Sequence, residues 1–469
     1  MEKKISRTTE LLKILGMGII VLLPLLFLCL YIKYFPMNYG DDELSYYRWN
    51  KDITNNPDTP YYSTLILGDS SANAAYLPEL LSEGTINLSL GGTTPIENYY
   101  VLENWLAKHD APKHIFLSFM DYHLLYDNMF YERTVYSHLL EPEQEKAIVK
   151  DAFTIGEDYI AVDDAWLQLF EYDHCLPNKY MPSLLNAGFT ERRGANTENY
   201  ASIALHRGAY IGMTVDRYSV TKPAVYEEFK VNEIFDVYYR RLLDLAKENG
   251  IQVTIVSLPK PENAVYTDIY RERRDGYYKG LANDYDNVQY HTGPDHLSGA
   301  YFHDWEHFNL YGAAHWSMLM KRSYPAAFPD EPVSEQTKQG IVDYMVRMET
   351  PEGIVSLADG KTAAAVVIAD DTGSIISGFD DTGLSVKGRS VYVKKDSDIS
   401  VTVQEANSQP NGFCIWTEPD GSCAIVSGET VYGIEIDAAA DLTLVIVDAE
   451  THQPLVRNYI HTDAGYLGQ

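Results

Sequence analysis

Cysteine is scarce, with four in 469 residues. There is no C-x-x-C pair and no His/Cys cluster at metal-ligand spacing. Neither a disulfide-stapled scaffold nor a structural zinc site is implied. Cys414 and Cys423 flank an EPDG turn. Hairpin pairing does not set them directly opposite each other, so a bridge there is permitted but not implied. Basic residues are also short, 37 against 67 acidic ones, for a formal net charge of −30. Such a surface does not favour binding nucleic acid or anionic lipid through a broad basic patch. It would also repel a polyanionic polymer unless the binding site is locally neutral or basic. Repeats with a clear period and low-complexity tracts are absent.

Long apolar runs are also rare. The one that stands out, Ile14 to Ile32 (ILGMGIIVLLPLLFLCLYI), carries no charge over 19 residues. That is enough to span a hydrocarbon core. Lys3, Lys4, Arg7 and Lys13 precede it and the acidic bulk follows. The positive-inside rule predicts a short cytoplasmic N-terminus and an extracellular bulk. The competing reading is a cleaved signal peptide, but the run is long for one and no small-x-small cleavage site precedes LYIKYF. Residues 1–35 are therefore expected to be a cytoplasmic tip and uncleaved anchor. Residues 36–61, polar and rich in turn formers, are expected to be a juxtamembrane stalk.

Strand and helix signals then alternate. Ser63 to Leu67 (STLIL), Thr85 to Leu90 (TINLSL) and His114 to Phe119 (HIFLSF) are short apolar strands separated by helical patterns. Thr94-Pro95-x-Glu97 is a capping-box start to one of these helices. The pattern predicts βαβ units and a parallel sheet. Residues 122–225 break it and read as an insertion or lid, because α/β connections are normally much shorter. Alternation resumes with a helix ending at Asn249-Gly250, followed by the strand IQVTIVSLP, a weaker helix, VQYHTG and a last helix after DWEHFN. Residues 62–330 form the expected α/β domain. Residues 333–349 are a candidate bridging helix, and 350–469 carry strand signals with regular turns that suggest a sandwich-like all-β module.

Three stretches can carry chemistry. In LGDSS, Ser70 follows a strand and opens a helix, where backbone N–H groups favour developing negative charge. The plain alternative is an N-cap, which Ser and Asp supply routinely. In HDWEHFN, Asp304 lies three residues before His307, close enough to hold Nδ1–H and leave Nε2 to take a serine proton. The plain alternative is a solvated loop, since the chain has 13 histidines. Asn309 is placed to cap the helix that follows. In NLSLGG, a glycine after the second strand lets a backbone N–H approach a ligand, although a tight turn alone needs glycine as well.

Taken together and in this order, these stretches resemble the SGNH (GDSL-type) hydrolase superfamily. Its first block matches Gly68-Asp69-Ser70, its second the glycine of NLSLGG, and its last the Asp304-x-x-His307 pair before the final helix. The resemblance covers residues 62–325 apart from the insertion. It implies a flavodoxin-like three-layer α/β/α fold, with Ser70 as nucleophile, His307 as general base and Asp304 as its orienter. It further implies Gly92 and Ser70 N–H groups as oxyanion donors, and no cofactor or metal. One departure matters. The family places an Asn in a G-x-N-D block after strand three, whereas this chain has Met120-Asp121-Tyr122-His123. Loss of one oxyanion donor can lower a rate by about 10²–10³-fold. Asn73 is one candidate replacement.

The single anchor and the Asp304-x-x-His307-Phe308-Asn309 ending also look like the branches that transfer D-alanyl groups to teichoic acid or acetyl groups to exopolysaccharide. Those proteins work beside a multi-pass membrane-bound O-acyltransferase. The resemblance implies an envelope serine acyltransferase acting on polysaccharide or teichoic acid, with no nucleic-acid partner. An esterase or deacetylase using the same residues is the first alternative. A non-catalytic envelope protein on a degenerate scaffold is the second.

Overall fold

The computed structural model describes residues 7–41, 43–212, 224–297 and 301–329, scattered positions between 332 and 343, and the backbone of strand segments between 363 and 462. Two compact units are distinguished.

The first unit combines residues 1–56, 126–203 and 232–234. It begins with helix α1 (Arg7–Tyr34). Within α1, Leu15–Tyr34 is, by length and composition, apolar enough to cross a membrane, and it is the one such helix among the described residues. Pro24 lies inside it, which a membrane helix tolerates. The segment expected to be a stalk is not turn throughout: it contains α2 (Leu44–Asn55). Leu44, Tyr47 and Trp49 are buried there. Their apolar area outweighs the polar residues that made the segment read as loop.

In the second unit the chain lays down β1 (Thr64–Gly68), α3 (Ser70–Ala75), α4 (Pro78–Leu81), β2 (Thr85–Asn87), α5 (Pro95–Leu106) and β3 (His114–Ser118). The insertion then supplies α6 (Pro142–Ile155), α7 (Ala165–Asp173), α8 (Pro177–Asn186) and α9 (Phe189–Leu205), largely within the first unit. The second unit continues with most of α10 (Glu233–Glu248), then β4 (Gln252–Val256), α11 (Asp268–Asp284), β5 (Val288–His291) and α12 (Leu310–Ser323). Thr94 caps α5 as its spacing predicts: its hydroxyl accepts from Ile96 N–H, and Glu97 accepts from Thr94 N–H at 2.9 Å. Gly250 closes α10 with φ 69°.

The five strands pair in parallel in the order 2-1-3-4-5. The α/β class with a parallel sheet is therefore present. The order reverses at β1, so right-handed crossovers send helices to opposite faces. On one face α5 meets α10 through Tyr99 and Tyr238, and α10 meets α11 through Tyr239 and Tyr277. On the other, Ser317 of α12 donates to Ala75 O and accepts from Leu77 N–H. β1 is buried along its whole length, as a strand covered on both faces must be. The gap between β1 and β3 at their carboxyl ends is the topological switch point, where open α/β sheets bind ligands.

The bridging helix expected at 333–349 falls mostly outside the described residues. So does the module expected at 350–469, beyond the backbone of its strand segments.

Candidate active site

β1 ends at Gly68, whose φ is 147°. A Cβ there would stand 1.9 Å from the Ser118 carbonyl oxygen. Only glycine lets β1 turn out of the sheet this close to β3. Asn98 accepts from Gly68 N–H at 2.8 Å, and the Thr93 hydroxyl donates to Gly68 O at 3.0 Å. The loop after β2 is thereby fastened to the strand end that carries Ser70.

Asp69 is fully buried and accepts four hydrogen bonds. One oxygen takes Ser71 N–H and Ser71 Oγ–H, at 2.9 and 2.6 Å. The other takes Met120 N–H at 2.6 Å and His123 Nδ1–H at 2.7 Å. Burial pushes this carboxyl up, but His123, Ser71 and Met120 together outweigh it and hold it below the usual range. Asp69 therefore caps α3 and also ties β1 to β3. Ser71 is spent in this network, and Ser70 is left facing the switch point.

The Ser70 hydroxyl lies 2.8 Å from Nε2 of His307. Nδ1 of His307 lies 2.8 Å from Asp304 Oδ2. The other Asp304 oxygen accepts from Glu306 N–H and His307 N–H at 2.8 and 2.7 Å. An ionised carboxylate only accepts, so Nδ1 carries the proton and Nε2 accepts from Ser70. Burial raises the Asp304 carboxyl, but the His307 hydrogen bond and charge, with the two backbone N–H groups, bring it to about 2.

The loop that holds His307 closes on itself. Phe302 and Phe308 form an antiparallel bridge and stack at 4.7 Å. Asn309 then caps α12, accepting from Gly312 N–H at 3.0 Å. Lys260 reaches this loop from the segment after β4. Its ammonium lies 3.1 Å from Glu306 Oε1, with both side chains buried. Burial favours the neutral amine, but Glu306 above all, then Tyr226, Tyr266 and Asp121, hold Lys260 charged.

Other expectations for the site change. Asn73 is not a replacement oxyanion donor, because its amide donates to Ser89 O at 2.7 Å and Gly208 O at 2.9 Å. In the Met120-to-His123 segment, Met120 N–H and the His123 ring are committed to Asp69, and the Asp121 carboxylate accepts from Tyr270 OH. α3 is six residues long, too short for its dipole to add much beyond its first-turn N–H groups. Gly92 is buried with φ 73°, in the loop fastened to Gly68. No spacing rule points to Asn98, His123 or Lys260, whose partners lie 30, 54 and 46 residues away.

No protein-family model matches the chain, and no curated protein matches it.

Proposed function

We propose that the chain is a membrane-anchored serine acyltransferase of the SGNH type, acting on acyl esters of an envelope polysaccharide or teichoic acid. The observation that carries this reading is the continuous hydrogen-bond path Ser70–His307–Asp304, at 2.8 Å for each side-chain link. It lies at the switch point of a parallel sheet.

Ser70 Oγ attacks the acyl carbonyl carbon while its proton passes to His307 Nε2. Asp304 stays ionised and stabilises the resulting imidazolium. The developing oxyanion is met by the N–H groups of Ser70 and Gly92. Collapse expels the leaving alkoxide, which takes the proton from Nε2, and an acyl ester remains on Ser70. A sugar or polyol hydroxyl then loses its proton to Nε2 and attacks the ester carbon; the bond from that carbon to Ser70 Oγ breaks, Oγ takes the proton back from Nε2, and the acylated product leaves. In this reading a multi-pass membrane-bound O-acyltransferase supplies the acyl group. In the same reading the apolar span anchors the enzyme in the bilayer with its bulk outside the cell, and the residues beyond 350 serve as an accessory β-module.

Hydrolysis is the second reading, favoured by one observation. Ser70 and His307 are only half-buried, so water has access to the acyl-serine.

A small fluorophosphonate probe tests the nucleophile. Wild-type protein labels at Ser70 and the Ser70→Ala variant does not. A folded wild-type chain that leaves Ser70 unlabelled would favour the non-catalytic envelope protein. Incubation with an acyl donor, with and without a polyol acceptor, then separates transfer from hydrolysis by the product formed.

A further inference from the structure

We propose that the helical unit at the end of α1 carries a binding site for the phosphate of an anionic membrane lipid, formed by Lys33, Arg48 and Lys51. The site rests on α1 lying in a bilayer and is independent of the chemistry at Ser70.

The 20 residues Leu15–Tyr34 rise about 30 Å as a helix, the thickness of a hydrocarbon core. Lys33 and the residues just after Tyr34 then stand at headgroup level. The end of the span is fixed on its unit: Ile32 is buried, and Tyr39 OH donates to Ile32 O at 2.6 Å. At this junction a cavity of about 70 Å³ lies between the end of α1 and α2. That is room for a phosphate group. Lys33 enters it from the span, Arg48 and Lys51 from α2, with Tyr136 and Tyr180 among the other walls.

Three cations converge on one small cavity in a chain of net charge −30. His138 also lines it, but burial first, and then the charges of Lys51 and Lys33, push its ring down to about 4, so it is neutral at pH 7. The carboxylates that meet the cations are peripheral. Arg48 pairs with Asp52 at 3.0 Å and Lys51 with Glu141 at 3.5 Å; Glu141 is exposed and Asp52, which also accepts from Tyr200 OH, is half-buried. Such surface pairs are weak and exchangeable. Lys51 also donates to His138 O at 2.6 Å, which aims its ammonium at the cavity wall. Lys33 makes no ion pair among the described residues. A lipid phosphate would complete the charge balance at a level where the bilayer supplies it.

The surroundings fit the same depth. Phe189 meets Tyr31 edge-on at 5.6 Å, one turn before the span ends. Leu185 and Phe189 are 77% and 53% exposed, as are Tyr34 and Phe35 at 66% and 54%. Aromatic and apolar side chains at this level belong to the membrane interface. Arg192 and Arg193 lie three and four residues after Phe189.

The test uses the full chain in nanodiscs of phosphatidylglycerol mixed with phosphatidylcholine, with retained lipid read by native mass spectrometry. Wild-type retains phosphatidylglycerol in preference. The Lys33→Gln/Arg48→Gln variant loses that preference by about fivefold for each charge removed, with an unchanged unfolding midpoint. Equal retention of both lipids by wild-type, or an unchanged preference in the variant, overturns the site. Displacement of the preference by millimolar inorganic phosphate assigns the pocket to free phosphate and overturns the lipid source. Failure of the chain to co-elute with discs overturns the span and the site together, while Ser70 labelling reports separately on the proposed chemistry.

Discussion

Ser70 Oγ and His307 Nε2 lie 2.8 Å apart although 237 residues of chain separate them. Two independent devices hold that distance. The four-bond clasp of Asp69 fixes the serine side, and the closed Phe302–Phe308 loop with the Asp304 carboxylate fixes the histidine side.

Replacing Asp304 tests the second device. Asp304→Asn puts an amide opposite Nδ1 and favours the wrong imidazole tautomer. The turnover of acyl donor should fall by about 10⁴-fold with little change in KM. Steady-state kinetics of the variant check this. A loss under tenfold would place the base elsewhere.

Asp304 also predicts an acid limb of stability. Its folded value of about 2 lies below the ordinary 3.8. Its contribution is therefore complete above about pH 4 and disappears as pH falls toward 2. Unfolding midpoints measured from pH 5 to pH 2 should drop more steeply for wild-type than for Asp304→Asn. Parallel curves would mean that the carboxylate is not held by His307 in solution.

Gly68→Ala tests the turn that releases Ser70. The backbone conformation alone costs about 1–3 kcal/mol for a residue with a Cβ. The new atom would also meet the Ser118 carbonyl at 1.9 Å. The urea midpoint should fall and Ser70 labelling should fall with it. Normal labelling in a destabilised variant would separate the turn from the site.

Lys260 and Glu306 form a buried pair beside the base. Glu306→Gln leaves a buried ammonium uncompensated, and stability should fall by about 3–5 kcal/mol. The Lys260→Met/Glu306→Leu double variant should recover much of that loss, because it removes both charges. Denaturant unfolding of the two variants, compared with either single change, measures the coupling. Additive losses would show that the two side chains are not paired.

Features with short sequence range were legible. The apolar span, the Thr94–Glu97 capping box, Gly250 closing α10, Asn309 capping α12 and the Asp304–His307 contact all join groups within a few residues. A period or a spacing is enough to reveal them, because the backbone itself brings i and i+3 together. The strand–helix alternation was legible for the same reason, since a strand buried on both faces must be a short apolar run. α2 was not, because its polar residues hide an apolar face that only its packed neighbours make worthwhile. Asn73 was misread because its amide partners, Ser89 and Gly208, lie on distant segments.

By itself, then, the sequence determined the local elements and the chemistry available at three stretches. Tertiary structure decided which groups meet. Parallel register sets Gly68 beside Ser118, and that pairing carries Met120 and His123 to Asp69. It also committed Ser71, which gives both its donors to Asp69, and set Ser70 against His307. The cation-lined cavity beneath α1 has the same origin: Lys33, Arg48 and Lys51 are unremarkable along the chain. They converge only because Ile32 and Tyr39 seat the end of the span on its helical unit.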